Sequence, residues 1–222
     1  MLMQVKRLLN PRYSWLAPAV RASIRTVLDI GGTEIDCQLA ARYLPGCHYT
    51  AVNIIKPVAT PPGVEFLQTD LDREGLSVLQ GRRFDYVICS HTLEHLVRGK
   101  ELLTEMGDLV GDGGYLYVEW PSERSQRFPL LGVGLNFHDD PTHVTSLSLQ
   151  DAVTSLQESG FCILSAGPRR NRLRQWLAPL LLFHSWIKHG RFVLYDFWDW
   201  TGYADHVCAK RLNKGSTGGQ QN

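Results

Sequence analysis

The stretch VLDIGGTE, residues 27–34, decides how this chain is read. An apolar run carries an acidic side chain, Asp29, and stops at the glycine pair Gly31 and Gly32 just before a helix start. Glycine lets the backbone turn tightly and come close to a ligand, while the N–H groups of the following helix start face that ligand. Taken alone, the pattern also fits a plain connection between a strand and a helix. Its surroundings give it weight.

Outward from this turn, short apolar segments at 25–30, 48–53, 64–68, 84–89, 115–120, 161–166 and 206–210 read as strands. Between them lie helical patterns at 34–43, 73–79, 99–109 and from Ser148, as the cap, to about residue 159. In the third of these, Leu102, Leu103, Met106, Leu109 and Val110 share one face at three- and four-residue spacing. Strands alternating with helices indicate βαβ units and a mostly parallel sheet, and near-continuous apolar strands indicate that both faces are covered. The expectation is one α/β domain, Rossmann-like and doubly wound, with about seven strands and the last antiparallel. Residues 1–24 read as an amphipathic leader, 25–212 as the domain, and 213–222 as a disordered Gly/Ser/Gln-rich tail. Two insertions, 121–146 and 169–205, would cover one side, and 169–203 reads as aromatic-rich and irregular.

Composition narrows the function classes. With 23 basic and 22 acidic residues the formal charge is +1, so no large positive field favours nucleic acid. Five dispersed cysteines without C-x-x-C spacing argue against a disulfide framework or a structural zinc site and point to a reducing, cytoplasmic setting. No continuous apolar core at the N-terminus marks a signal peptide, and the apolar stretch at 176–187 is broken by Pro179 and His184.

Four strand ends fall in order: the Asp29–Gly32 turn, Asn53, Asp70, and Ser90-His91. In a parallel sheet all of them lie on the carboxyl edge, where open α/β folds bind ligands. Here the chain resembles the class I S-adenosylmethionine-dependent methyltransferase superfamily over about residues 25–167. VLDIGGTE resembles its first motif, and FDYVICSHTLEHL (84–96) its fourth-strand segment. GDGGYLYVEWPS (111–122) and PTHVTSLSLQDAVTSLQESGF (141–161) resemble the segments around and after its fifth strand. The resemblance implies S-adenosylmethionine as cofactor. The turn formed by Asp29, Gly31, Gly32 and Thr33 would hold its amino-acid end, and Asn53 would meet the ribose. Asp70 and the Leu71 backbone would meet the adenine, and Ser90 and His91 would line the floor. The sequence departs from the family pattern twice. Thr33 stands where a second glycine is expected, and Asn53 stands where an acid is common. These departures keep open a fold relative that has lost its chemistry. A nicotinamide oxidoreductase lacks support, because no G-x-G-x-x-G is present.

The histidines offer further chemistry. His91-Thr92-Leu93-Glu94-His95 matches H-x-x-E-H, but His91 directly follows a strand end and would lie off any helix, so no metal is expected. In NFHDDPTH (136–143), a tight turn at Asp140-Pro141 is one reading. The other is an acid/base pair, His143 with Asp140, and His138 as alternative base, serving a hydroxyl acceptor that must lose a proton. The acceptor is then a small molecule or a glycan. The aromatic segment and its flanking arginines fit packing, an acceptor wall, a homodimer contact, or peripheral membrane contact through 172–200.

Overall fold

The computed structural model describes residues 10–57, 60, 62–130, 132, 134–190 and 198–213. Seven strands form one sheet in the order β3-β2-β1-β4-β5-β7-β6. They are β1 (Thr26–Ile30), β2 (His48–Asn53), β3 (Val64–Gln68), β4 (Phe84–Ser90), β5 (Val110–Pro121), β6 (Phe161–Pro168) and β7 (Ala204–Arg211). Strands β1 to β5 pair in parallel, and β7 runs antiparallel between β5 and β6. The expected α/β class and the antiparallel last strand are both observed. Strand order reverses between β1 and β4, which opens a crevice at their carboxyl ends.

Alternation along β1 sorts its side chains. Leu28 and Ile30 join Leu102, Leu103 and Met106 of α5 (Gly99–Leu109) and Leu156 of α6 (Leu149–Glu158) on one face of the sheet. Val27 joins Cys37 and Ala40 of α3 (Glu34–Tyr43) on the other. On that second face the leader is part of the fold. Helices α1 (Pro11–Ser14) and α2 (Pro18–Ser23) start at prolines, as fixed φ favours, and Tyr13 and Leu16 are buried against the sheet.

Elsewhere the elements differ in detail from their expected limits. Strand β5 starts at Val110 and takes in the GDGG segment. The helix expected at 73–79 is two pieces, α4 (Leu71–Glu74) and a single 3-10 turn at Ser77–Leu79, separated by Gly75 at φ 58. The segment read as irregular contains an 18-residue helix, α7 (Arg172–His189), and the short α8 (Trp198–Thr201). Pro179 lies inside α7 and cannot bond the Gln175 carbonyl one turn back. The indole Nε1 of Trp200 on α8 donates to that oxygen at 2.7 Å, satisfying the group the proline leaves open. That long-range replacement is invisible to local periodicity. Residues 1–9 of the expected leader, 214–222 of the expected tail and 191–197 of the aromatic segment lie outside the described residues.

Candidate active site

A cavity of about 640 Å³ opens at the switch point, bounded by Gly31 after β1, Asn53 and Ile55 after β2, Asp70 and Leu71 after β3, and His91 and His95 after β4. Its volume lies in the range of small-molecule and cofactor sites. Gly31 adopts φ +80, and its N–H donates to the Val52 carbonyl at 2.7 Å. A Cβ at this position would stand 2.0 Å from Thr92 Oγ1, so only glycine permits this approach. The Thr92 hydroxyl in turn donates to the Ile30 carbonyl at 3.1 Å, pinning the turn after β4 against the turn after β1.

Asn53 explains one departure from the family pattern. Its Nδ2 donates to the carbonyls of Gly31 at 3.1 Å and Gly32 at 3.3 Å, and its Oδ1 accepts from Ile55 N–H at 3.1 Å. A carboxylate could accept the last bond but not make the first two. The side chain thus braces the glycine turn from the neighbouring strand. Thr33, the other departure, caps α3: its hydroxyl and N–H both donate to Asp36 Oδ2, at 2.6 and 2.9 Å. Asp70 caps α4, accepting from Asp72 N–H at 3.1 Å.

Of the nine residues expected at the cofactor, Gly31, Asn53, Asp70, Leu71 and His91 line the cavity, whereas Asp29, Gly32, Thr33 and Ser90 do not. Asp29 is buried on the α3 face, where Tyr49 Oη donates to its carboxylate and Arg12 stands 3.9 Å away. Burial, reinforced by nearby Asp36, outweighs Arg12 and Tyr49 and raises the Asp29 carboxyl to about 7.

His91 occupies a backbone conformation unusual for a side chain with a Cβ, φ 53. It is held there by three bonds. Its N–H donates to the Glu119 carbonyl at 2.8 Å, Nδ1 lies 3.0 Å from Glu94 Oε1, and Nε2 lies 2.8 Å from Glu119 Oε1. Burial would push the imidazole down, but the hydrogen bonds to Glu119 and Glu94 prevail and raise it to about 9. It is therefore an imidazolium at neutral pH with both N–H groups engaged, and no free base. Glu119 also receives Arg169 at 3.0 Å and the Tyr117 hydroxyl. Against its burial, Arg169 and His91 hold its carboxyl well below the usual carboxylate range. Trp198 of α8 packs 5.0 Å from the His91 ring and donates from Nε1 to the Gly134 carbonyl, linking both insertions to this edge. As expected, His91 and His95 do not share a helical face: residues Leu93–His95 form one 3-10 turn.

In the 121–146 insertion, Asp139 organises the loop. Its carboxylate accepts from the N–H groups of Gly132, Gly134, Leu135 and Asn136 at 2.9–3.1 Å. His138 is exposed beside Phe137. His143 has a side chain 7% exposed; its Nδ1 bonds the Phe137 carbonyl at 2.7 Å, and its Nε2 is 3.9 Å from Asp140 Oδ2. Asp140 accepts from the Thr142 hydroxyl at 2.6 Å, which holds its carboxyl below the ordinary range. The structure thus brings His143 and Asp140 together and leaves His138 apart. It also adds a residue that the sequence reading did not assign to the site: His95 lines the cavity, with its ring 4.8 Å from that of His143.

This geometry can be set beside known proteins. The family described as "Methyltransferase domain" matches residues 1–166. The chain belongs to that family. Among solved structures, a SAM-dependent methyltransferase from Archaeoglobus fulgidus has a TM-score of 0.61 at 19% identity, over 94% of each chain. An O-methyltransferase family protein from Burkholderia thailandensis has a TM-score of 0.60 at 16% identity. That match covers 96% of this chain but only 57% of that one. The N-methyltransferase NodS from Bradyrhizobium japonicum, in complex with S-adenosyl-L-homocysteine, gives a TM-score of 0.52 at 11% identity. It covers 90% of this chain and 86% of that one. A search of curated proteins finds no significant match.

The protein is an S-adenosylmethionine-dependent methyltransferase of the class I superfamily. The cavity fits that cofactor on its own geometry. Gly31 and Thr92 pack side by side at its floor with no room for a Cβ between them, and the ends of β2 and β3 leave the cavity open beside them.

Proposed function

We propose that this methyltransferase methylates an oxygen of a small-molecule or glycan acceptor, with residues 136–143 on the acceptor side. The observation that carries the reading is the orientation of His143. The Phe137 carbonyl can only accept, so Nδ1 of His143 bears a proton and Nε2 is the nitrogen left to exchange one with an acceptor. The His143 ring stands 4.8 Å from that of His95, a residue of the cavity wall, and the Asp140 carboxylate is 3.9 Å from Nε2.

Bound in the cavity, S-adenosylmethionine supplies an electrophilic methyl group on a sulfonium. His143 Nε2 would take the proton of the acceptor hydroxyl as the oxygen–methyl bond forms and the methyl–sulfur bond breaks, its electron pair remaining on sulfur. An amine acceptor would reach the site already able to attack once deprotonated by water, and would have less use for a base fixed in this way.

The rest of the molecule supports a modest range of partners. The formal charge of +1 does not favour nucleic acid. All five cysteines are free thiols, which fits a reducing, cytoplasmic setting. Among the described residues no helix is long and apolar enough to cross a membrane. Helix α7 nevertheless exposes Trp176, Leu180, Phe183 and Ile187 at spacings of four, three and four residues, which is one helical face, with Trp186 beside it. That stripe, next to exposed Arg170 and Arg172, supports peripheral contact with an anionic membrane surface. A second copy of the chain is the competing cover.

The test is methyl transfer from labelled cofactor to panels of phenols, sugars and lipid-linked glycans, with amines as controls, and the methylated atom read by mass spectrometry and NMR. Label appearing only on nitrogen, carbon or sulfur would overturn the oxygen reading.

A further inference from the structure

Two backbone ties bring the turn after β4 and the 136–145 loop into register. Val144 N–H and Thr145 N–H donate to the Glu94 carbonyl at 2.8 and 3.1 Å, and the Thr145 hydroxyl donates to the Leu96 carbonyl at 2.6 Å. The result is a convergence of Glu94, His95 and His143, each offering one donor atom, all within 4.8 Å of one another.

The hydrogen bonds around this group leave the right atoms free. His143 Nδ1–H is fixed by the Phe137 carbonyl. The Thr142 hydroxyl gives its only proton to Asp140, so it can only accept from His95 Nδ1, 2.8 Å away. Both imidazoles therefore carry a proton on Nδ1, which leaves Nε2 as the nitrogen able to ligate a metal, oriented by a second partner. Glu94 contributes an independent sign. Its side chain is 1% exposed, Oε1 is bonded to His91, and Oε2 accepts no hydrogen bond. A buried carboxylate oxygen without a partner is costly, and a cation is one way to satisfy it.

We propose that Glu94, His95 and His143 form a divalent transition-metal site of Zn2+ or Mn2+ type at the wall of the cofactor cavity. Two imidazoles and one carboxylate suit those ions rather than Mg2+ or Ca2+, which take oxygen ligands. Three protein donors leave coordination positions for an acceptor oxygen. Donors on one tetrahedral ion are about 3.3 Å apart, so the set closes by roughly 1.5 Å at most on binding, within reach of side-chain rotation.

The use of the ion, though not its binding, rests on the oxygen-transfer reading. It would lower the pKa of a bound hydroxyl and so give His143 a ligand's role in place of a base's. The proton of that hydroxyl would leave to solvent, and the resulting oxygen would bond the methyl carbon as the methyl–sulfur bond breaks, its electron pair staying on sulfur.

The experiment is calorimetry of the full chain, stripped with chelator, titrated with Zn2+ and separately with Mn2+. Binding of S-adenosyl-L-homocysteine and the thermal unfolding midpoint are recorded on the same samples. One ion should bind per chain, and His95→Ala, His143→Ala and Glu94→Gln should each weaken it at least about tenfold. Because Glu94→Gln could unfold the turn, the two histidine variants decide. If the wild type binds the nucleoside product but no ion, or if ion binding survives in both folded histidine variants, the site is refuted and oxygen transfer by His143 stands. If the ion binds as expected while methyl groups go only to nitrogen, the site stands and the oxygen reading falls.

Discussion

Arg169 Nη1 donates to Glu119 Oε1 across 3.0 Å, with both side chains at most 3% exposed, reaching from the end of β6 over β7 to β5. The same guanidinium stands 3.6 Å from Asp199 and 5.7 Å from the Trp198 ring, so the second insertion is fastened to the sheet through one charge. Removing that charge leaves two buried acids without it. Arg169→Leu should destabilise the fold by about 3–5 kcal/mol, the range for breaking a buried pair from one side. Denaturant unfolding gives the value, and a loss under about 1 kcal/mol would show the pair to be dispensable.

Gly31→Ala should fail on two counts. It forces a Cβ to φ +80, worth about 1–2 kcal/mol, and drives that Cβ into Thr92. A drop of at least about 2 kcal/mol in stability, together with loss of measurable binding of the cofactor product, is expected. Gly32→Ala meets nothing nearer than the Asp29 side chain at 3.1 Å and should cost less. Equal effects from the two substitutions would contradict the assigned geometry.

Asn53→Asp tests whether the amide braces the turn. The carboxylate loses both donated bonds and faces the carbonyls of Gly31 and Gly32. A loss of about 1–3 kcal/mol follows from leaving such groups opposed, with Asn53→Ala falling between wild type and Asn53→Asp. Wild-type stability in the Asn53→Asp variant would return the position to a simple ribose contact.

The carboxyl edge of the sheet is legible in the sequence because each of its parts has a local signature: near-continuous apolar strands, a glycine turn, and polar residues at strand ends. The pairing of His143 with Asp140 is legible for the same reason, since they stand three positions apart. What escapes are contacts made by distant segments. Nothing local announces that Glu94 accepts two N–H groups from residues 144 and 145, so the sequence groups His95 with His91 when its true neighbour is His143. The leader shows the same limit. Arg12 is paired with Asp36 and lies near Asp29, far along the chain, which no spacing rule suggests. Helix α7 is hidden because its internal proline is rescued by a tryptophan from another helix.

Asp29 should give stability a pH dependence of defined sign. The groups facing it are Arg12, Asp36, Tyr49 and Tyr13, and its carboxyl rises from 3.8 to about 7 in the fold. Between those values the folded chain holds a proton that the unfolded chain has released. Stability from this group therefore falls as pH rises from about 4 to about 7, and is level above. Thermal unfolding from about pH 5 to about pH 8 should show that decline in the wild type and a shallower one in Asp29→Asn. Parallel curves for the two proteins would assign the slope elsewhere.

The exposed face of α7 makes a claim that can be separated from catalysis. Trp176 is 84% exposed, and Leu180, Phe183 and Ile187 continue the stripe at 60%, 59% and 64%. So much contiguous apolar surface marks an interaction site. For an interfacial helix, attachment combines apolar insertion with attraction between nearby arginines and anionic lipid. Co-sedimentation with vesicles should then increase with phosphatidylserine content and fall with salt. Trp176→Ser with Phe183→Ser should reduce it by at least about tenfold, without changing binding of S-adenosyl-L-homocysteine, because neither residue lines the cofactor cavity. If vesicles never retain the protein but the same double variant turns a dimer into a monomer in sedimentation analysis, the stripe is a contact between copies of this chain.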